Sequence, residues 1–213
     1  MQNKFDEDYF ENGIITGKSC YVNYRWISEL TIKMAHKLII YLGLKTSDSL
    51  LDFGCAKGYL VKALRILEIE AYGCDISEYA INNIDHEVAK YCYLNNQNCL
   101  PFEQTFDWII SKDVLEHLEE ELIDEFLLLA RQRTNQMFHV VPLGDEKGNF
   151  IISAYNSDDT HIQKKPLDWW IEKFRLHGWT NISYTFRVPG VKDNWTKEYP
   201  KGNAFFTVKK TRY

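Results

Sequence analysis

The chain has 213 residues, 45% hydrophobic and 26% charged, enough apolar material for one well-buried core and near the upper end of what stays a single domain. Its net charge of −5 argues against a grip on phosphate backbones, which needs clustered Lys and Arg to displace counterions, so nucleic acid is not expected as a partner. The 5 cysteines form no CxxC pair, the longest apolar run (38–44) is far too short to span a membrane, and the acidic residues 1–10 do not resemble a signal peptide; a cytoplasmic monomer or homodimer without membrane, disulfide or zinc framework is expected.

After an irregular, aromatic-rich opening, Ile27, Leu30, Met34, Leu38 and Leu42 recur at helical spacing, with Gly43 as the stop. Residues 1–45 read as an N-terminal lid and helix, and 46–213 as the core of one domain. A short apolar strand at 49–53 breaks at Gly54, after which Leu60, Val61, Leu64 and Leu67 mark a helix. The unit repeats: a strand at 70–74 ends at Asp75, and Ser77 is placed to cap a helix through Asn83. Strands at 91–94 and 106–110 follow, then a helix from about 119 to 130 and a buried strand at 137–141 closed by Pro142 and Gly144.

Pro166 opens and Gly178 ends a last helix bearing Leu167, Trp170, Ile171 and Phe174. Strands at 182–188 and 204–208 come next without a helix between them, joined by a polar, aromatic loop at 189–202. This alternation predicts an α/β fold: a Rossmann-like open sheet, mostly parallel with a C-terminal antiparallel strand, and helices on both faces.

The chemistry concentrates in Leu-Leu-Asp-Phe-Gly-Cys-Ala-Lys-Gly at 50–58. This turn sits at the carboxyl end of the first strand and opens a helix, where ligands bind in open α/β sheets. Gly54 and Gly58 permit close backbone approach, and the helix start offers unpaired amide donors. Asp75, at the tip of the next strand, stands where an acidic side chain accepts hydrogen bonds from ribose hydroxyls. The dinucleotide pattern GxGxxG and the phosphate cradle GxxxxGK[ST] are both absent. An acid immediately before the turn, Asp52, suits a cationic ligand better than a pyrophosphate.

Three blocks resemble the class I S-adenosylmethionine-dependent methyltransferases, in particular the branch acting on small molecules: LLDFGCAKG at 50–58, GCDIS at 73–77 and LPFEQTFDWIISKDVLEHL at 100–118. The late helix at 166–179 is similar as well, so the resemblance covers roughly 50–208. It implies that Asp52, Gly54, Cys55, Ala56 and Gly58 line the methionine part of S-adenosylmethionine and that Asp75 holds its ribose. Ile76 and Asn96 border the adenine, while Ser111 and Lys112 close the floor. Ala56 replaces the middle glycine of the family's GxGxG pattern.

Methyl transfer needs alignment more than acid–base chemistry, and a base only if the acceptor must lose a proton. Asp113, His117 and His161 are the candidates. His139, inside an apolar strand, reads as a core residue, and the acidic run at 119–125 as a solvated helix face. Tyr9, Phe10, Tyr21, Tyr24 and Trp26 in the opening segment fit either a lid over the sulfonium, with Arg25 reaching the cofactor carboxylate, or simple packing on the sheet edge. No metal cluster is evident, and the Asn/Asp-Pro-Pro-Tyr motif used on DNA amino groups is missing. A small-molecule acceptor, a sugar or other metabolite, is therefore expected. The alternatives are a nicotinamide-dependent oxidoreductase, which would want GxGxxG, and a binding protein that keeps the fold without turnover.

Overall fold

A computed structural model describes residues 4–95 and 100–210. The opening segment holds two short helices, α1 (Glu7–Glu11) and α2 (Gly13–Thr16), followed by α3 (Ser28–Leu42). Helix α3 stops at Gly43, whose φ of 67° lies in the left-handed region that glycine enters without a Cβ penalty. The core then runs β1 (Ser49–Phe53), α4 (Tyr59–Ile66), β2 (Glu70–Asp75), α5 (Glu78–Asn82), β3 (Cys92–Leu94), β4 (Trp108–Lys112), α6 (Glu120–Arg133) and β5 (Gln136–Pro142). It closes with α7 (Leu167–Leu176), β6 (Asn181–Thr185), α8 (Asp193–Glu198) and β7 (Asn203–Lys209).

All seven strands form one sheet in the order β3-β2-β1-β4-β5-β7-β6. Pairing is parallel from β3 across to β5, and β7 runs antiparallel to both β5 and β6. This is the expected open sheet with its antiparallel strand near one edge. The strand order reverses between β1 and β4, so a crevice opens at their carboxyl ends.

The two-residue period of a strand sorts the core into two halves. Leu50, Ile110, Val140 and Phe205 pack with Ala35, Leu38, Val61 and Leu64 of α3 and α4. Leu51, Ile109, Met137 and Phe206 pack with Ile123 and Phe126 of α6 and with Trp170 and Phe174 of α7. Each fully buried side chain of this size contributes about 1.5–3 kcal/mol, and a one-residue slip would turn a whole set to the wrong face. The register that places the strand tips is therefore strongly determined.

Two expectations need correcting. The segment between β6 and β7 is not a plain loop: β6 stops at Thr185, a bridge between Val188 and Val191 folds the chain through Gly190 (φ 88°), and α8 follows. Only Thr196 of α8 is buried, so the helix has no apolar stripe to announce it. Strand β4 begins at Trp108 rather than at 106: the Phe106 amide donates to the Arg133 carbonyl at 2.7 Å instead of joining the ladder, and the Asp107 carboxylate accepts from the Ser49 amide at 2.8 Å. No helix among the described residues is long and apolar enough to cross a membrane.

Candidate active site

The turn after β1 is built by backbone geometry first. Gly54 (φ 82°) and Gly58 (φ 73°) are left-handed, and between them Ala56 adopts φ 49°, a glycine conformation held by a residue with a Cβ. The amides of Gly54 and Cys55 both donate to the Cys74 carbonyl, at 2.8 and 3.0 Å, which ties the turn to the end of β2. Asp75 completes the tie: one carboxylate oxygen accepts from the Ala56 amide at 2.7 Å and the other from the Ser77 amide at 2.8 Å. Ser77, in turn, caps α5 by accepting from the Ala80 amide at 3.0 Å. Asp75 is thus a turn-setting residue before any ligand arrives, and each of its oxygens keeps a further acceptor site.

A cavity of about 760 Å³ lies over this turn. The tips of β1 and β2 contribute Asp52, Gly54, Cys55, Ala56, Asp75 and Ile76; the β4 tip contributes Lys112, Asp113 and His117. The opening segment adds Tyr9, Tyr21, Tyr24 and Arg25, and the segment before and within α8 adds Lys192 and Trp195. Three expected residues do not line it. Gly58 lies behind the turn against Cys92 and Ile84. Ser111 shares the face of Ile109 by strand alternation, so it points beneath α6 and α7, where its hydroxyl lies 2.7 Å from His139 Nδ1. His161 stands behind His117, with ring centroids 4.5 Å apart. Asn96 lies outside the described residues, although its neighbour Asn95 lines the cavity.

Charge in the cavity is unevenly held. Burial pushes the Asp52 carboxyl up to about 7; Lys112 opposes the rise and Asp75 adds to it. Burial also raises Asp75, against the pull of the Ser77 and Ala56 amides. Asp113 behaves in the opposite way. Burial alone would raise it, but the Lys112 and Lys192 ammonium groups outweigh that and hold it well below the usual carboxylate range. Lys112 sits 2.7 Å from one Asp113 oxygen, Lys192 bonds the other, and Lys192 also donates to Asn203 Oδ1 at 2.8 Å. An acid clamped between two lysines is a poor proton acceptor.

His117 is neutral. Burial, aided by the neighbouring His161, lowers it to about 3. Its Nδ1 lies 2.9 Å from Thr160 Oγ1 and 3.2 Å from the Thr160 carbonyl. Its sequence neighbour Glu116 is 0% exposed, and neither carboxylate oxygen has a hydrogen-bond partner among the described residues. Ligating atoms of Glu116, His117 and His161 fall within 4.8 Å of one another. The spacing of 116, 117 and 161 does not announce this grouping, since folding joins residues that are remote in sequence.

The opening segment is fastened to the same turn. Glu11 pairs with Lys57, Lys57 donates to the Tyr24 carbonyl at 3.1 Å, and the Ser77 hydroxyl donates to the Phe5 carbonyl at 2.5 Å. Tyr9, Phe10, Tyr21 and Tyr24 pack on one another with centroids 5.0–6.4 Å apart. The segment packs on itself and on the turn, and Tyr9, Tyr21 and Tyr24 line the cavity. Sequence reasoning does not single out Lys192, Trp195 or Tyr59 as wall residues: the first two fall in what reads as a loop, and Tyr59 opens α4 just past the glycine turn.

A family model described as a methyltransferase domain matches residues 26–185. No curated protein matches the chain in sequence. Among solved structures, the chain is similar to a SAM-dependent methyltransferase from Archaeoglobus fulgidus, with a TM-score of 0.61 at 17% identity, covering 86% of this chain and 95% of that one. It is similar to the glycopeptide N-methyltransferase MtfA complexed with sinefungin, with a TM-score of 0.62 at 12% identity, covering 85% and 87%. Human N-acetylserotonin methyltransferase in complex with SAM gives a TM-score of 0.61 at 12% identity, covering 84% of this chain and 52% of that one. The structural likenesses establish the fold, and the family match runs from the start of α3 through β6. With the glycine-bearing turn, the acid at the tip of β2 and this match in hand, the chain belongs to the class I S-adenosylmethionine-dependent methyltransferases.

Proposed function

We propose that the chain transfers the methyl group of S-adenosylmethionine to an oxygen or nitrogen of a small molecule, a sugar or other metabolite. The observation that carries this reading is the cavity itself. At about 760 Å³ it falls in the range of about 300–1,000 Å³ typical of small-ligand sites, and the opening segment supplies part of its wall. The net charge of −5 gives nucleic acid no electrostatic foothold.

In this reading Gly54, Cys55 and Ala56 contact the methionine moiety and Asp75 accepts from the ribose through its remaining lone pairs. Asp52 answers the cofactor's positive charge, Ile76 borders the adenine, and Arg25 reaches the carboxylate. Gly58 serves by shaping the start of α4, and Lys112 closes the floor without Ser111. The tyrosine cluster excludes water while acceptor, methyl and sulfur align for an in-line displacement. Asp113 orders the wall through its two lysines rather than taking a proton.

Calorimetry with S-adenosylmethionine and S-adenosylhomocysteine tests the cofactor half. Heat of binding is expected for both, weakened by Asp75→Ala; no heat with either ligand would end the reading. Release of S-adenosylhomocysteine in the presence of small hydroxyl or amine acceptors tests the other half. Robust methylation of RNA, DNA or protein with no small-molecule turnover would overturn it.

A further inference from the structure

We propose that Glu116, His117 and His161 form a binding site for a divalent transition-metal ion, of the zinc or iron(II) kind, in the wall of the cavity. One carboxylate and two imidazoles are a donor set suited to such ions, and the three ligating atoms already lie within 4.8 Å of one another. Donors on a tetrahedral ion with bonds of about 2.1 Å stand about 3.4 Å apart, so small side-chain rotations close the remaining distance.

Two features prepare these residues to ligate. The first is the tautomer of each ring. His117 Nδ1 lies within hydrogen-bonding distance of the Thr160 carbonyl and hydroxyl, and His161 Nδ1 lies 3.0 Å from the Tyr155 carbonyl. A carbonyl only accepts, so both Nδ1 atoms carry the proton and both Nε2 atoms keep a free lone pair. The Thr160 hydroxyl spends its own proton on Asp158 Oδ1 at 2.5 Å, which leaves it an acceptor toward His117. Rings held by Nδ1–H on oxygen acceptors are the arrangement found behind metal-bound histidines.

The second is Glu116. Its backbone carbonyl accepts from the Ile162 and Gln163 amides, both at 2.9 Å, which fixes it against the loop that carries His161. Its carboxylate is fully buried with no hydrogen-bond partner among the described residues. A buried carboxylate without a donor is costly, and a bound cation removes that cost. Asp158 Oδ2 lies 3.8 Å from His161 Nε2 and adds negative potential beside that ligating atom.

His117 is the member that lines the cavity, so the ion's open positions would face the acceptor space. There it could hold an acceptor oxygen and ease loss of its proton, a task for which Asp113 and His117 are poorly suited. That role rests on the methyl-transfer reading; ion binding itself does not.

The test uses the full chain, stripped of metal by a chelator and titrated with cobalt(II) and zinc(II). Visible cobalt bands, equilibrium dialysis with metal analysis and thermal melting are followed together. Stoichiometric binding is expected, with cobalt bands displaced by zinc and a melting temperature raised by the ion. His161→Gln and Glu116→Gln are each expected to weaken binding about tenfold or more. His161→Gln keeps a side chain of similar length outside the cavity wall and is decisive should Glu116→Gln fail to fold. Substoichiometric uptake by the unaltered chain, or uptake unchanged in His161→Gln, overturns the site. S-adenosylhomocysteine binding measured on the stripped protein is expected to persist, which separates failure of the metal site from failure of the cofactor reading.

Discussion

Asp52 offers the sharpest test of the charge arrangement. Its carboxyl is raised by burial to about 7, against 3.8 for the free group. A carboxyl whose folded-state value lies above its unfolded value costs nothing while both states are protonated. The cost grows as pH rises from about 4 and levels off above about 7, at about 1.4 kcal/mol for each tenfold weakening of the acid, or about 4 kcal/mol in all. Asp52→Asn removes this ionisation with little change of shape. The difference in unfolding free energy between variant and unaltered protein, from urea titrations without ligand, is therefore expected to favour the variant by up to about 4 kcal/mol at pH 8 and to shrink toward pH 5. Cofactor binding should run the other way. If the ligand's positive charge requires ionised Asp52, affinity follows the ionised fraction and climbs about fifty-fold between pH 5 and pH 7. S-adenosylhomocysteine keeps the amino group but not the sulfonium and should retain most of that dependence, while Asp52→Asn should abolish it for both ligands and bind them more weakly throughout. A variant less stable at pH 8, or one whose affinity keeps the same pH profile, would refute the reasoning.

Gly54→Ala forces a side chain into φ 82° and drives its Cβ into Val114; a loss of at least about 1–2 kcal/mol in urea unfolding and a marked loss of cofactor affinity by calorimetry are expected. Ala56→Gly relieves the left-handed strain but loosens the unfolded chain, so a net gain of no more than about 1 kcal/mol is expected, with cofactor affinity maintained. Asp113→Asn leaves Lys112 and Lys192 without their shared partner in a partly buried setting, and should cost about 1–3 kcal/mol by chemical denaturation. Deleting residues 1–24 removes the tyrosine roof and should weaken S-adenosylmethionine binding about tenfold or more; unchanged affinity and turnover would show the segment to be packing alone.

Much of this site can be read along the chain because its cofactor end is made of contiguous residues. Gly54 is tied to the end of β2 by a backbone bond and Ala56 to the Asp75 carboxylate, with Asp52 next to them on β1, so a strand–turn–helix pattern is enough to find them. Ser111 departs from expectation for a local reason: its neighbour Lys112 reaches the cavity, but the two-residue period sends Ser111 to the opposite face. The meeting of His161 with Glu116 is illegible for a different reason. Their proximity depends on a long return of chain after β5, and nothing in the spacing of 116, 117 and 161 encodes it. Helix α8, lacking an apolar stripe, conceals Lys192 and Trp195 in what reads as a loop.

The clamp of Lys192 on Asp113 and Asn203 joins three stretches that are remote in sequence: the tip of β4, the approach to α8 and the start of β7. The glycine-bearing turn after β1 takes no part in it, so this wall of the cavity has its own fastening. On the proposed reading, replacements around Trp195 are therefore expected to change which acceptor is received while cofactor binding stays as it is.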